Sequence, residues 1–181
     1  SCKKEEARQV NQYTIEQFYT NTRFEGGTFS ADETRLLVGS DETGIFNLYE
    51  ITLADGAKKQ LTTSTVESYY PVDYVPGMSA LIYSADKGGN EIDHLYLLED
   101  NGKTTDLTPG ENNKVSFFKW SEDKKSMFYI SNIRDPKYFD VYKMNIGEWI
   151  PTLFYENKSG LDVNEISDDE KTLVVSKTVT T

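Results

Sequence analysis

Short apolar runs separated by polar turns recur along the chain at a nearly constant interval. Four such runs each follow a turn, and the turns begin at residues 30, 75, 121 and 167, so they lie 45, 46 and 46 residues apart. The turn segments are Ser30-Ala31-Asp32, Val75-Pro76-Gly77, Ser121-Glu122-Asp123 and Ser167-Asp168-Asp169. Repetition at this period predicts a fold built from copies of one small unit.

Each of the first three copies continues with a run centred on a tyrosine, a tight turn and a fourth short strand. The tyrosines are Tyr49, Tyr96 and Tyr142. The first two tight turns are Asp55-Gly56 and Asn101-Gly102, and both pairs suit the positive φ of a hairpin turn. One unit is therefore a meander of four antiparallel strands over about 46 residues, a length typical of a β-propeller blade.

The pattern predicts an all-β propeller with about three and a half four-stranded antiparallel blades within residues 24–181. The predicted blades cover residues 24–63, 66–109 and 115–157, with a half blade over residues 161–176. Closed propellers carry ~4–8 blades, and open sheet edges invite association. We therefore expect a fragment of a larger propeller. The alternative is self-association, in which two chains join through open blade edges into a ring of about seven blades.

The acidic residues of the repeated turns have two interpretations. Short side chains at such positions hydrogen-bond their own backbone and stabilise the reversal, and this interpretation predicts a structural role for Asp32, Asp123, Asp168 and Asp169. Calcium binding is the alternative. It is disfavoured because no Asp-x-Asp-x-Asp-Gly run occurs in the sequence.

Composition excludes several classes of function. The chain has a formal net charge of −11 and a single histidine, His94. Such a surface repels phosphate backbones, so nucleic-acid binding is not expected. No apolar run approaches the ~20 residues needed to span a bilayer. One histidine, one cysteine and no Gly-x-Ser-x-Gly elbow predict no catalytic residue, no metal site and no cofactor in this chain.

The N-terminal residues have features of an exported lipoprotein. Ser1-Cys2 resembles the end of a bacterial lipobox, which makes Cys2 the candidate lipid attachment. The following Lys3-Lys4-Glu5-Glu6 resembles the export signal of surface lipoproteins in Bacteroidetes-type bacteria. Residues 1–12 are predicted to be a tether and residues 13–23 a short helix or linker. The alternative is a terminal cysteine in a polar tail.

Candidate channel-facing groups follow from propeller geometry. The innermost strand of each blade lines the central channel, and four polar or aromatic residues fall on the predicted innermost strands. They are Tyr70, Asp73, Lys119 and Asn164. Most of the neighbouring aromatic residues are expected to fill the space between blades, because aromatic side chains dominate buried area.

The blade sequences resemble the amino-terminal propeller of the prolyl oligopeptidase family. The resemblance rests on the segments Tyr13–Phe18, Phe29–Val38 and Ile82–Asn90, together with Leu95-Tyr96 and Asp106-Leu107-Thr108. The last pieces are also typical of TolB-type periplasmic propellers. The family resemblance implies a propeller that lies over a carboxy-terminal α/β-hydrolase domain and admits only short or unfolded peptides. No residue of that domain's catalytic triad can be placed in this chain.

Two functions are implied by these resemblances. The first is a non-catalytic propeller segment of a serine peptidase of the bacterial cell envelope, which gates and orients peptide substrates for a separate hydrolase domain. The second is a TolB-like envelope module that recognises a protein or a glycan and carries no enzyme. In both, membrane contact is expected only through the lipid on Cys2.

Overall fold

The computed structural model describes residues 12–19 and 21–179. One short helix, α1 (Ile15–Tyr19), precedes the strands. Thr14 begins the helix as a capping box, because its Oγ1 accepts from the Gln17 N–H and its own N–H donates to Gln17 Oε1.

The strands are β1 (Phe24–Phe29), β2 (Arg35–Ser40), β3 (Asn47–Thr52), β4 (Lys58–Gln60), β5 (Tyr70–Tyr74), β6 (Ala80–Ala85), β7 (His94–Glu99), β8 (Thr104–Asp106), β9 (Val115–Trp120), β10 (Ser126–Asp135), β11 (Tyr138–Asn145), β12 (Pro151–Tyr155), β13 (Asp162–Ile166) and β14 (Leu173–Ser176).

The strands form three four-stranded sheets and one two-stranded sheet, in which each strand pairs antiparallel with its neighbour in the chain. Blade one is β1–β4, blade two is β5–β8 and blade three is β9–β12, and the fourth sheet is the β13–β14 hairpin. The predicted all-β fold of repeated blades is confirmed. Residues 1–12, predicted to be the tether with Cys2, lie outside the described residues except for Gln12.

The Ser-x-Asp sequence closes the first hairpin of a blade through its own side chains. Ser30 Oγ donates to Asp32 Oδ1 at 2.6 Å and accepts from the Arg35 N–H at 3.0 Å. Ser121 and Ser167 make the same two kinds of bond in their turns. The residue after each Asp has a positive φ: Glu33 (55°), Lys124 (57°) and Glu170 (58°). The repeated sequence therefore encodes one turn geometry.

Blade two reaches the same reversal with different residues. Its turn reads Val75-Pro76-Gly77, and the positive φ of 72° falls on Gly77. Proline followed by glycine is the signature of a type II turn, in which only the third position needs φ > 0. The Val75 N–H still bonds the Ala80 carbonyl, as the Ser30 N–H bonds the Arg35 carbonyl.

Apolar side chains are buried where one sheet packs face to face on the next. We call each such contact a seam. The seam between blades one and two is the buried cluster of Leu37, Leu48, Leu81, Tyr83, Ala85 and Leu98. Blades two and three share a larger cluster that includes Ile82, Leu97, Met127 and Tyr129. The seam between blade three and the β13–β14 hairpin buries only Phe128, Val141 and Ile166 fully.

Candidate functional site

The innermost strands of all four sheets carry an irregularity at an equivalent place. In β5, β9 and β13 one extra residue is inserted, namely Val72, Phe118 and Asn164. In β1 the irregularity contains Gly26 and Gly27. Such a bulge interrupts the alternation of side chains along a strand and re-aims the residue that comes after it.

The residues that come directly after the bulges are structurally equivalent, because each pairs with the same position of the second strand. They are Thr28, Asp73, Lys119 and Glu165. Together with Trp120 they form the group that we call the inner-strand network. Each of the four reaches a polar group on an adjacent sheet, so one repeated position links successive blades near the propeller axis.

Asp73 is the centre of this network. Its Oδ1 accepts from Thr28 Oγ1 of blade one at 2.8 Å, and its Oδ2 accepts from Trp120 Nε1 of blade three at 2.8 Å. Oδ1 also accepts from the Tyr74 N–H at 2.8 Å. One carboxylate therefore joins three blades. Trp120 is buried, so its indole N–H depends on this acceptor.

An ion pair continues the network to the last hairpin. Lys119 Nζ lies 2.6 Å from Glu165 Oε1 and donates to the Ile166 carbonyl at 3.0 Å. The hydrogen bond from Lys119, followed by that from the Ile166 N–H, lowers the pKa of Glu165 below its usual value. The side chains of the pair are 31% and 58% exposed. Water therefore screens this link far more than it screens the bonds of Asp73.

The four residues predicted to face the channel have different environments. Asp73 and Lys119 belong to the inner-strand network. Tyr70 packs on Phe46 of blade one, with ring centroids 5.3 Å apart. Asn164 is the exposed bulge residue of β13, next to Glu165. Their role in lining a channel stays a prediction.

Sequence reasoning missed Thr28 and Glu165. The signal was present, because residues 28, 73, 119 and 165 are separated by 45, 46 and 46 positions, as the turns are. Adding one repeat length to Lys119 gives Glu165 rather than Asn164. The repeat therefore identifies equivalent side chains more directly than the strand assignment does.

His94 has a structural position. Its ring is buried and bonds at both nitrogens: Nδ1 lies 2.8 Å from Asp106 Oδ2, and Nε2 lies 2.9 Å from the Gly110 carbonyl. The equivalent residues of blades one and three, Asn47 and Asp140, likewise hold the segment beyond the fourth strand of their blade. Because both ring nitrogens are bonded, His94 holds β7 to Asp106 of β8 and to the segment that follows it at Gly110.

The described residues hold no group of three or more His, Cys, Asp or Glu side chains placed to bind a metal ion. Among the same residues, no helix has the length and apolar character to cross a bilayer. A concave feature at one seam is a cleft of about 380 Å³ between blades one and two, lined by both apolar and charged side chains.

No family model and no curated protein matches the chain. Solved structures do. TolB from Acinetobacter baumannii aligns with 84% of this chain and 37% of its own, at 15% identity and a TM-score of 0.62. A protein assigned as TolB from Agrobacterium tumefaciens aligns with 84% of this chain and 53% of its own, at 25% identity and a TM-score of 0.56. The chain has a TolB-like propeller fold.

A structure from a study of two prolyl endopeptidases is similar to the same degree. It aligns with 87% of this chain and 26% of its own, at 16% identity and a TM-score of 0.63. At this identity the likeness shows the fold alone. The TolB-like chain thus spans between about a quarter and about half the length of these solved proteins.

Proposed function

We propose that this chain is the non-catalytic propeller segment of a serine peptidase of the prolyl oligopeptidase type. In this proposal the propeller gates and orients peptide substrates for a hydrolase domain that is not part of the 181 residues. The observation that carries it is the alignment of 87% of the chain with 26% of a prolyl endopeptidase. That protein comes from work on inter-domain dynamics in catalysis and specificity.

The packing between blades supports a gating role. A gate must hold its shape while substrates pass, and the seam between blades one and two is closely packed and apolar. Asp73 ties three blades together close to the axis through bonds of 2.8 Å. Rigid elements of this kind position a rim more precisely than loops do.

The experiment is to express the complete reading frame that contains this chain and to treat it with a fluorophosphonate probe. We expect covalent labelling and hydrolysis of a Gly-Pro nitroanilide, both abolished by prior treatment with a serine-directed inhibitor. Gating predicts that a short peptide is cleaved while the same sequence within a folded protein is not. The 181-residue chain alone is the matched control and should show neither labelling nor turnover. A full reading frame without labelling would contradict the proposal.

The second candidate is a TolB-like binding module that recognises a protein or a glycan of the envelope. It is favoured by the 25% identity with the protein assigned as TolB from Agrobacterium tumefaciens. The two candidates differ in the part of the reading frame that lies beyond the ring. A Gly-x-Ser-x-Gly segment about 200–300 residues after Thr181 favours the peptidase. A stop codon soon after the last blade favours the TolB-like binding module.

We also propose that the protein is an envelope lipoprotein, anchored through Cys2. The similarity to Ser-Cys lipobox ends and the TolB-like fold support this location. Metabolic labelling with an alkyne fatty acid in a bacterial host tests it, using the natural precursor. We expect labelling of the native protein and none of Cys2→Ser. Labelling that survives the substitution would contradict the assignment.

Self-association through open blade edges, the alternative to a fragment, stays a prediction. Phe29 of blade one and Val174 of the β13–β14 hairpin are 57% and 54% exposed, although their counterparts Tyr74 and Phe128 pack into seams. Sedimentation of the chain measures it directly. If the chains pair, the protein sediments at twice the 20.6 kDa monomer mass, and Val174→Lys sediments as a monomer. A monomer at high concentration would rule it out.

A further inference from the structure

The cleft between blades one and two has an apolar floor, in which Leu81 and Leu98 are only 6% and 7% exposed. Its volume of about 380 Å³ lies within the ~300–1,000 Å³ range of ligand pockets. Leu61, Leu81 and Leu98 line it from the apolar cluster of the seam, and Met78, a residue that is 40% exposed, lines its rim. An apolar side chain of a ligand placed here would lose water contact on several sides.

One wall of the cleft holds an arginine in a fixed orientation. Arg35 Nη1 lies 3.0 Å from Glu50 Oε2, and its Cζ lies 5.5 Å from the ring centroid of Tyr74. The Tyr74 hydroxyl donates to the same Glu50 oxygen at 3.0 Å. Burial, followed by the nearby Glu50, raises the pKa of Tyr74, so the hydroxyl keeps its proton.

The fixed guanidinium has unused donors. A guanidinium carries five N–H groups, and the Arg35 side chain makes one hydrogen bond among the described residues. Lys59 lines the same cleft and makes no ion pair in the described part of the chain. A planar guanidinium held in place by neighbours matches the geometry of a carboxylate. This wall therefore suits a carboxylate group.

The opposite wall comes from blade two and carries acceptors. Glu99 and Asp100 line it. Glu99 Oε2 is buried beside Lys103 Nζ, 3.2 Å away, while the Glu99 side chain as a whole is 31% exposed. The exposed part of the Glu99 carboxylate suits a backbone N–H one residue away from a bound carboxylate. The two walls and the floor together offer the groups that a peptide end requires: cations, an acceptor and an apolar surface.

We propose that this cleft binds the C-terminal end of a peptide whose last side chain is apolar. Arg35 and Lys59 bind the α-carboxylate, the last side chain lies on Leu61, Leu81 and Leu98, and Glu99 accepts a backbone N–H of the peptide. The proposal goes beyond the gating function, because it concerns binding by this chain alone. It holds or fails whether or not a hydrolase domain is present in the complete protein.

The test is an NMR titration of the isotopically labelled chain with N-acetyl-Ala-Ala-Leu, which has a free carboxylate. We expect saturable shifts at the backbone amides of residues that line the cleft. The C-terminal amide of the same peptide should bind at least about tenfold more weakly, because it loses the charge-assisted bonds to Arg35. Equal binding of acid and amide, or shifts confined to other surfaces, would overturn the proposal.

A matched pair of arginine substitutions tests the assigned wall. Arg35→Gln should weaken binding of N-acetyl-Ala-Ala-Leu at least about tenfold. Arg23→Gln should leave it unchanged, since Arg23 is also paired with a carboxylate and lies over a ring, Asp41 and Phe46, but outside the cleft. Thermal melts of both variants check the fold. Equal affinity of wild type and a folded Arg35→Gln would reject the site.

Two further arms complete the experiment. Ser79→Trp places an indole at the exposed lining residue Ser79 and should abolish binding, while Ser79→Ala should preserve it. The free dipeptide Leu-Leu has the same C-terminal leucine and carboxylate as the acetylated peptide, but it also has a free amine close by. Binding equal to that of the acetylated peptide supports recognition of a C-terminus. Binding of the dipeptide alone would show that the cleft requires a free amine, and the proposal would then be wrong.

Discussion

Two seams of this propeller, built from the same repeat, are held together by different forces. Between blades one and two, Pro71 of β5 lies directly against two glycines of blade one. A Cβ on Gly26 would lie 2.7 Å from Pro71 Cγ, and one on Gly39 would lie 3.1 Å from Pro71 Cδ. Between blade three and the β13–β14 hairpin, two ion pairs flank a small apolar cluster: Lys119–Glu165 and Lys143–Glu170.

A repeat can therefore keep its geometry while the interactions between its copies vary. Close apolar contact depends on shape and volume, not on charge. Partly exposed ion pairs contribute little and are screened as ionic strength rises. We therefore expect the first seam to respond to changes in volume and the last seam to respond to changes in charge and salt.

The largest effect is expected from adding a methyl group to the first seam. Gly26→Ala combines the contact with Pro71 and a φ of 69°, which L-residues rarely adopt. Strain of these two kinds costs about 2–5 kcal/mol. Urea unfolding followed by tryptophan fluorescence measures the loss.

Gly56→Ala is the control for this substitution. Gly56 has a similar φ of 71°, but a Cβ there meets no atom within 4 Å. It should cost only the backbone contribution of about 1–2 kcal/mol. Equal losses in the two variants would show that contact with Pro71 does not govern the first seam.

The second effect concerns the carboxylate that joins three blades. Asp73→Ala leaves the buried Trp120 Nε1–H without its acceptor and removes the bond from Thr28. An unsatisfied buried donor costs about 1–3 kcal/mol. Chemical denaturation measures the change.

Thr28→Val serves as the comparison, because it removes one donor and leaves Asp73 to accept from Trp120. It should cost no more than about 0.5–1.5 kcal/mol, the usual net value of one hydrogen bond. If Asp73→Ala were as stable as Thr28→Val, Asp73 would not be the hub that its contacts indicate.

The blades could be predicted from the sequence, because the pattern of apolar runs and turn residues is local. Ser30 and Asp32 bond to each other and to residues no more than five positions away, so a short segment determines the turn. The same holds for Pro76 and Gly77, which select another turn type for the same reversal. Local chemistry repeated at a fixed period is sufficient for the fold.

The inner-strand network could not be predicted in the same way. A bulge shifts the side-chain alternation by one position, so a strand assignment alone does not tell whether Asn164 or Glu165 is equivalent to Lys119. The partners are also distant in the chain: Trp120 lies 47 residues from Asp73 and Glu165 lies 46 residues from Lys119. The interactions that hold each seam together can therefore be identified only from the three-dimensional packing of the sheets.

A smaller effect is expected at the last seam. Lys119→Met removes the ion pair with Glu165, whose side chains are 31% and 58% exposed. Such pairs contribute about 0–1 kcal/mol. We expect faster hydrogen exchange in β13 and β14 at low salt and a smaller difference from wild type in 1 M salt, where the Debye length is about 3 Å and the lost bond to the Ile166 carbonyl still contributes. A difference of the same size at low and at high salt would mean that the ion pair does not hold this hairpin.

The smallest effect concerns the turns, where the repeated serine acts on the repeated carboxylate. The hydrogen bond from Ser30, followed by those from Thr34, lowers the pKa of Asp32 to about 2. The bonds from Ser121 and Ser167 lower the pKa of Asp123 and of Asp169 in the same way. A folded pKa below the unfolded value stabilises the fold above the unfolded pKa, and this contribution is lost as the pH falls through the folded pKa.

Ser30→Ala isolates one turn. The pKa of Asp32 should rise from about 2 towards its ordinary value, and a carbon-detected NMR titration of the carboxyl group measures it. The melting temperature should then change less between pH 5 and pH 2 than in the wild type, since one depressed carboxylate no longer contributes. Ser121→Ala is the control, because its turn lies in blade three and should leave the pKa of Asp32 unchanged. An unaltered Asp32 titration in Ser30→Ala would refute the idea that the serine hydroxyl controls the charge of its turn.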